Sequence, residues 1–459
     1  MAEEKNQNKL KRALGFWDCM GIGVGQIIGA GIMILTGISI ELTGAGTPIA
    51  FIIACIVVLC PSFVMAAMGA AIPSTGGMYV YVRDYIGQKT AFLYLILFVC
   101  GQLVLAMFAI TFAEYTVELV PAWNATAVAF IILTVCFAVN VIGLSMAAKF
   151  QNAMVVVLLV ALIVFIIWGM PKVDYSVFAA TAENPHPFMP NGIIAFMTAV
   201  SLLTFATSGA SFLSELGGEM KDAGKILPRA ILASTAIVGV FYTFMGVVAV
   251  GVLPIPEVAG QTLVKVAAAV LPQPLYVFFI IGGGMFAVAT TLNGSFTWCT
   301  KSLLVAAREG WLPKGLSSVS RFGTPWIILT IFYIIGAIPI LTGWSIRMIA
   351  MLGNGVSLIF FMFPLAAALL IHKKNPVAME KSVFKVSRRL LITIAIISII
   401  TSGICAWLNI SDITNSWIMI VIIGAASVLY AHLRQSYMAK KGTPIVAISE
   451  EALSDTYGR

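Results

Sequence analysis

The sequence predicts an all-α membrane protein of twelve transmembrane helices, with the first and sixth broken near the middle of the bilayer. Three observations carry this. Apolar stretches longer than about 18 residues, enough to cross a hydrocarbon core, recur along the whole chain. Lys and Arg collect in alternate connecting segments. Two of the apolar stretches are interrupted by clusters of small residues. Of 459 residues, 60% are hydrophobic and only 10% are charged, so nothing remains to build a soluble domain.

The elements follow in order. Residues 1–14 form a charged tail, "MAEEKNQNKLKRAL". The first span, 15–41, is too long for a signal peptide and lacks a small-residue cleavage site, so it reads as a retained helix. Spans 46–72, 90–116, 123–143 and 150–170 come next, each apolar over a membrane-crossing length. The sixth span, 191–216, is apolar at its start and small and polar at its centre. Spans 229–253, 273–303, 325–343, 347–371, 388–410 and 413–434 complete the set, followed by a tail at 435–459.

Orientation follows from the basic residues. With the N-terminus inside, only Lys172, Lys265 and Arg347 fall outside, and the other 24 of 27 fall inside. This predicts a multi-pass protein of the cytoplasmic membrane with both termini in the cytoplasm. It also assigns the +8 net charge to membrane topology and not to nucleic acid. The seven cysteines include no CxxC pair, which argues against a metal site or disulfide framework. His186, His372 and His432 lie in loops or near helix ends, poorly placed to ligate haem. No GxxxxGK[ST] loop occurs, so the chain has no motif for ATP as the driving force. No obligatory protein partner is evident, and the chain carries no signature of an enzyme.

The first span contains "GIGVGQIIGAGIMILTG", residues 21–37. Gly21, Gly25 and Gly29 are spaced by four and share one helix face, where close packing explains them. Gly31 lies off that face and is not explained by packing. The sixth span contains "TFATSGAS" with Gly209 inside it. The two spans are five helices apart, so the halves that they begin run in opposite directions. Interrupted helices at matching positions of two inverted halves point to a midplane site. A broken helix frees N–H groups at one end and C=O groups at the other. Together these suit a ligand that carries both charges, as an amino acid does.

"GIGVGQIIGAGIMILTG" resembles the first-helix signature of amino acid–polyamine–organocation transporters. "FATSGASFLSELGGEMKDAGKILPRAI" is similar to that family's sixth helix and following loop, "PSTGGMYVYVRDYIG" to the segment before its third helix, and "LNGSFTWCTKSLLVAAREGWLP" to its eighth helix and loop, nearest the L-type branch. The resemblance implies a five-plus-five inverted repeat of the leucine-transporter kind over 15–371, with halves at about 15–170 and 191–371 and two further helices at 388–434. It implies a substrate carboxylate on the N–H groups of Ala30, Gly31 and Ile32, and an ammonium on the carbonyls of Ile27, Phe205, Ala206 and Ser208. The side chain would then face Phe205, Ser208, Gly209, Ser211, Gln102 and Ser295. Phe205 is either an aromatic gate or an ordinary packed aromatic, and Gln102 either a ligand contact or an interhelical hydrogen bond. Cation-carrying relatives tend to have Glu where this chain has Ser211, so the implied substrate is a neutral amino acid.

The same resemblance bears on coupling. L-type members often carry a lysine where this chain has Leu158, and no Lys or Arg occurs from 150 to 170. Ala287, Thr290 and Thr291 fall on the ligands of sodium-coupled relatives, and Gly25 and Ile28 would add two carbonyls. The other reading of the threonines is hydrogen bonding back to their own helix. Glu215 is either a proton-coupling group or a polar residue that lines the inward path or pairs with a lysine. Asp18, Glu41, Glu114 and Glu118 read as interfacial. The expected function is an ion-coupled amino acid permease working by alternating access, sodium ahead of proton. An uncoupled exchanger is the alternative and a channel the remote one, since no charge ring or carbonyl filter loop is visible.

Overall fold

A computed structural model describes residues 13–181, 185–410, 416–443 and 445–447. The basic residues Lys5, Lys9, Lys11, Arg12 and Arg459, used above for orientation, lie outside the described residues, as does the start of the 413–434 interval. Each of the twelve apolar intervals is helical over most of its described length. Among the described residues, nine stretches are long and apolar enough to cross a membrane; the first of them, Phe16–Ala71, contains three helices. The extended pairings among the described residues are isolated bridges, Leu14 with Met220 and Thr75 with Leu216.

The first interval is two helices, α1 (Phe16–Ile27) and α2 (Ala30–Thr43), with Ile28 and Gly29 in extended conformations between them. α3 (Thr47–Ala71) keeps Pro61 inside it. A short helix, α4 (Gly77–Tyr85), precedes α5 (Gln88–Gly101) and α6 (Val104–Leu119), which are offset at Gln102 and Leu103. α7 (Ala125–Ile142) and α8 (Leu144–Gly169) follow. α9 (Gly192–Thr207) stops at Ser208 and Gly209, and a 3-10 segment continues from Ala210 to Glu215. α10 (Ala223–Gly251) leads to two short helices, α11 (Ile255–Val258) and α12 (Leu263–Val270). α13 (Gln273–Phe278) runs through a π-helical segment, Phe279–Met285, into α14 (Phe286–Glu309). The remainder is α15 (Trp326–Thr342), α16 (Ile346–Lys374), α17 (Pro376–Lys381), α18 (Arg388–Ile410) and α19 (Ser416–Lys440).

The order of elements repeats. A broken helix, a long helix, a short helical connection and a third, interrupted helix occur from α1 to α6 and again from α9 to α14. α3 packs along α10, α2 against α9, and α1 against α8 and α14. The short connections dock on the broken helix of the opposite half. Gly260 donates its N–H to the Gly37 carbonyl (2.8 Å), and a Cβ on Gly37 would overlap the Gln261 carbonyl. In the other half, Gly76 donates to the Glu215 carbonyl (2.9 Å), and a Cβ on Gly77 would overlap the Ser214 carbonyl. Glycine at these positions is therefore a requirement of close approach.

One end of α14 is tied down by buried charge. Glu309 accepts a hydrogen bond from Tyr79 (2.6 Å) and pairs with Arg83, which also binds Asp84 (2.6 Å). Burial, with Glu309 alongside, pushes the Tyr79 phenol well above its ordinary range, so it stays a donor. Lys301 pairs with Glu219 (2.7 Å), with both side chains almost wholly buried.

Candidate binding site between two broken helices

The two breaks lock into one another. A Cβ on Gly31 would stand 2.8 Å from the Cα and the Cβ of Ala206 in α9. Gly209 has φ +139°, a conformation open to glycine, and a Cβ there would meet the Gln26 carbonyl at 2.8 Å. The chain thus crosses itself twice at its two unwound points. Neither crossing leaves room for a side chain.

A cavity of about 1140 Å³, counting the space open to solvent, is centred on these breaks. It brings together Ile27, Gly31, Gln102, Phe205, Ala206, Ser208, Gly209, Ser211, Ser295 and Thr291 of the residues expected from sequence. Ala30, Gly31 and Ile32 are the first three residues of α2, so their N–H groups have no acceptor within the helix. Ile32 is fully buried and its side chain lies off the cavity wall. The Ile27 carbonyl accepts from the Tyr242 hydroxyl (3.3 Å). The Phe205 carbonyl accepts from both the N–H (3.3 Å) and the hydroxyl (3.0 Å) of Ser208. Gln102 donates to the Phe98 carbonyl of its own helix (3.0 Å), and its buried Oε1 has no partner among the described residues.

Three further side chains shape this space, and sequence reasoning missed them. Gln26 donates to Ser295 (3.1 Å) and accepts from the Trp298 indole (3.1 Å). Trp298 lies flat on Phe212, with ring centroids 4.0 Å apart and planes 4° off parallel. The available signal was a single Gln inside an otherwise apolar, glycine-rich span.

Beside the first break, Thr291 Oγ1 lies 3.0 Å from the Gly25 carbonyl, 3.3 Å from that of Ile28 and 3.0 Å from that of Ala287. One hydroxyl hydrogen serves one of these three acceptors at a time, so oxygen lone pairs outnumber donors there. Thr290 instead turns back onto its own helix, 2.8 Å from each of the Phe286 and Ala287 carbonyls. Gly25, Ile28, Ala287 and Thr290 do not line the cavity, whereas Thr291 does.

Glu215 is fully buried and also off the cavity wall. Its carboxylate accepts from the Met78 N–H (3.1 Å), in the first turn of α4, and from the Ser302 hydroxyl (2.6 Å). It therefore caps α4 and does not pair with Lys301, which belongs to Glu219.

The amino acid permease family model matches residues 14–428. The chain belongs to this family. Its permease relatives include the branched-chain amino acid permease BcaP of Bacillus subtilis, 25% identical over 406 residues, covering 82% of this chain and 84% of BcaP. The methylthioribose transporter of the same organism is 25% identical over 457 residues, covering 94% and 95%. The serine/threonine exchanger SteT, also of B. subtilis, is 26% identical over 340 residues, covering 70% and 75%. The chain is thus a permease of the amino acid–polyamine–organocation superfamily, a multi-pass membrane transporter and not an enzyme.

Proposed function

We propose that this permease moves a neutral amino acid across the cytoplasmic membrane by alternating access. One observation carries the reading: among the described residues, those lining the cavity at the breaks include no Asp, Glu, Lys, Arg or His, while the ends of the broken helices surround it. A ligand whose two charges cancel, one for N–H groups and one for carbonyls, suits that environment. A net cation would bring a charge with no carboxylate to offset it.

The repeated element order and the reciprocal docking of the short connections support a five-plus-five inverted repeat over 15–371. Helices 388–434 stand outside it, twelve spans in all, and the tails 1–14 and 435–459 face the cytoplasm. Ala30, Gly31 and Ile32 take the carboxylate; Ile27, Phe205, Ala206 and Ser208 take the ammonium. Gln102, Gly209, Ser211 and Ser295 meet the side chain.

Competition for uptake in proteoliposomes tests this. Neutral amino acids should inhibit, while arginine, lysine and putrescine should bind at least about 100-fold more weakly, because burying an unpaired cation costs several kcal/mol. Strong inhibition by putrescine would overturn the charge assignment.

Sodium coupling is the favoured driving force. The carbonyls of Gly25, Ile28 and Ala287 around the Thr291 hydroxyl fit a hard monovalent cation held by neutral oxygens, a charge that would offset the excess of lone pairs. Thr290 would join them by leaving its own helix. Uptake should fall when choline replaces sodium at fixed pH. Thr291→Ala should raise the sodium concentration for half-maximal transport about fivefold, the loss of roughly 1 kcal/mol of ligation. Undiminished uptake in choline would favour proton coupling through Glu215 or plain exchange. Exchange is the second reading, supported by the likeness to SteT.

A further inference from the structure

The cavity at the two breaks continues between α3 and α16 to Ser402 and Cys405 of α18, a helix outside the proposed repeat. Three of the five hydroxyls on this route are engaged with protein groups. Ser62 of α3 hydrogen-bonds Ser211 just beyond the second break (3.2 Å), and Thr401 donates within its own helix, 3.0 Å and 3.2 Å from the Ile397 and Ser398 carbonyls. Beside Ser357 of α16 and Ser402 of α18, the rest of the wall is apolar: Val57, Val58 and Pro61 of α3, with Leu358 and Phe361 of α16. Phe361 stands edge-on to Phe212 (6.1 Å, 80°), whose ring is stacked on Trp298, so an aromatic wall closes the side towards α14. Ser211 therefore stands at the mouth of an arm that leads away from the broken helices and ends at α18.

We propose that this arm receives the substrate's side chain, that Cys405 and Ser402 of α18 set its permitted length, and that the preferred substrates are amino acids with long or branched apolar side chains. The inference rests on the amino acid reading above. Walls that are mostly apolar, with no charged side chain among the described lining residues, reward aliphatic carbon and offer a charged group no partner. Glycine or alanine would leave the arm unfilled, so α18 discriminates by size where the breaks recognise the shared zwitterion.

The test is selectivity in proteoliposomes containing the full chain. Cys405→Phe fills the end of the arm, and the ratio of leucine to alanine affinity should shift against leucine by at least about tenfold, the worth of a few methylenes in a fitted pocket. A parallel measurement uses the native protein, so it holds even if that variant misfolds. A methanethiosulfonate reagent is applied, Cys405→Ser identifying the signal from residue 405. Saturating leucine should slow labelling of Cys405 and saturating alanine should not. An unmoved affinity ratio, or equal protection by both amino acids, overturns the inference while leaving the amino acid reading intact. A native protein that takes up neither amino acid overturns both.

Discussion

Gly31→Leu is expected to abolish substrate binding and reduce transport to background. A Cβ at residue 31 already stands 2.8 Å from Cα and Cβ of Ala206, and backbone on a packed helix gives way poorly. Leucine adds three more carbons at the same crossing, where overpacking costs about 1–3 kcal/mol or more. The strain is relieved by driving α2 away from α9, which pulls apart the N–H groups of residues 30–32 and the carbonyls at the end of α9. Binding by isothermal calorimetry in detergent, with size-exclusion chromatography to check folding, reads this directly. Gly31→Ala should show a milder form of the same defect. A folded Gly31→Leu protein that binds and transports normally would mean that the binding site lies elsewhere.

Lys301→Met is expected to produce the largest loss of stability. Lys301 and Glu219 hold each other at 2.7 Å with almost no exposed surface, and Glu219 Oε2 has no partner among the described residues. Removing the ammonium leaves a buried carboxylate uncompensated, a cost of about 3–5 kcal/mol. Glu219 also anchors local backbone: its carbonyl accepts from the Leu14 N–H (3.1 Å), just before α1. The thermal midpoint in detergent should drop for Lys301→Met and recover most of the loss in Lys301→Met/Glu219→Gln, where both charges are gone. A single variant within about 0.5 kcal/mol of the native protein would assign the pair no structural weight.

Much of the fold was legible because a membrane simplifies the code. Backbone must satisfy itself in hydrocarbon, so long apolar runs mean helices and clustered glycines mean a break. Both breaks fall where "IIGAG" and "ATSGA" placed them, at Ile28–Gly29 and Ser208–Gly209. Partners between distant helices were not legible. Gln26 reaches Ser295 and Trp298, which stand 269 and 272 residues away, and no local pattern encodes such contacts. Thr290 and Thr291 are adjacent and chemically identical, yet one bonds its own helix and the other faces α1; helix rotation alone decides between them. The sequence reading left Gly31 unexplained by packing, whereas its missing side chain admits Ala206 of a helix some 175 residues on; the N–H role proposed for it stands beside that contact. The capping of α4 by Glu215 was not legible either, because it depends on a segment of 77–85 that is too short to announce itself by periodicity.

The π-helical turn at Phe279–Met285 has a consequence for how chain length is tolerated. A π segment winds more residues into a turn than an α-helix does, and α-helical residues step by about 100° each. Everything after it is therefore dialled to one angular phase: Thr291 towards Gly25, Asn293 towards Gln151 and Asn140, Ser295 and Trp298 towards Gln26. Deleting one residue between 279 and 285 would relax the wide turn to ordinary α geometry and leave that phase nearly unchanged, whereas deleting one between 286 and 290, where the helix has no residue to spare, would swing the whole series by roughly 100°, presenting apolar side chains to three polar partners at once. The composition would scarcely change, nor the hydropathy or helix content, yet every long-range contact of α14 would be lost together. At this point of the molecule, information is stored in the count of residues rather than in their identity.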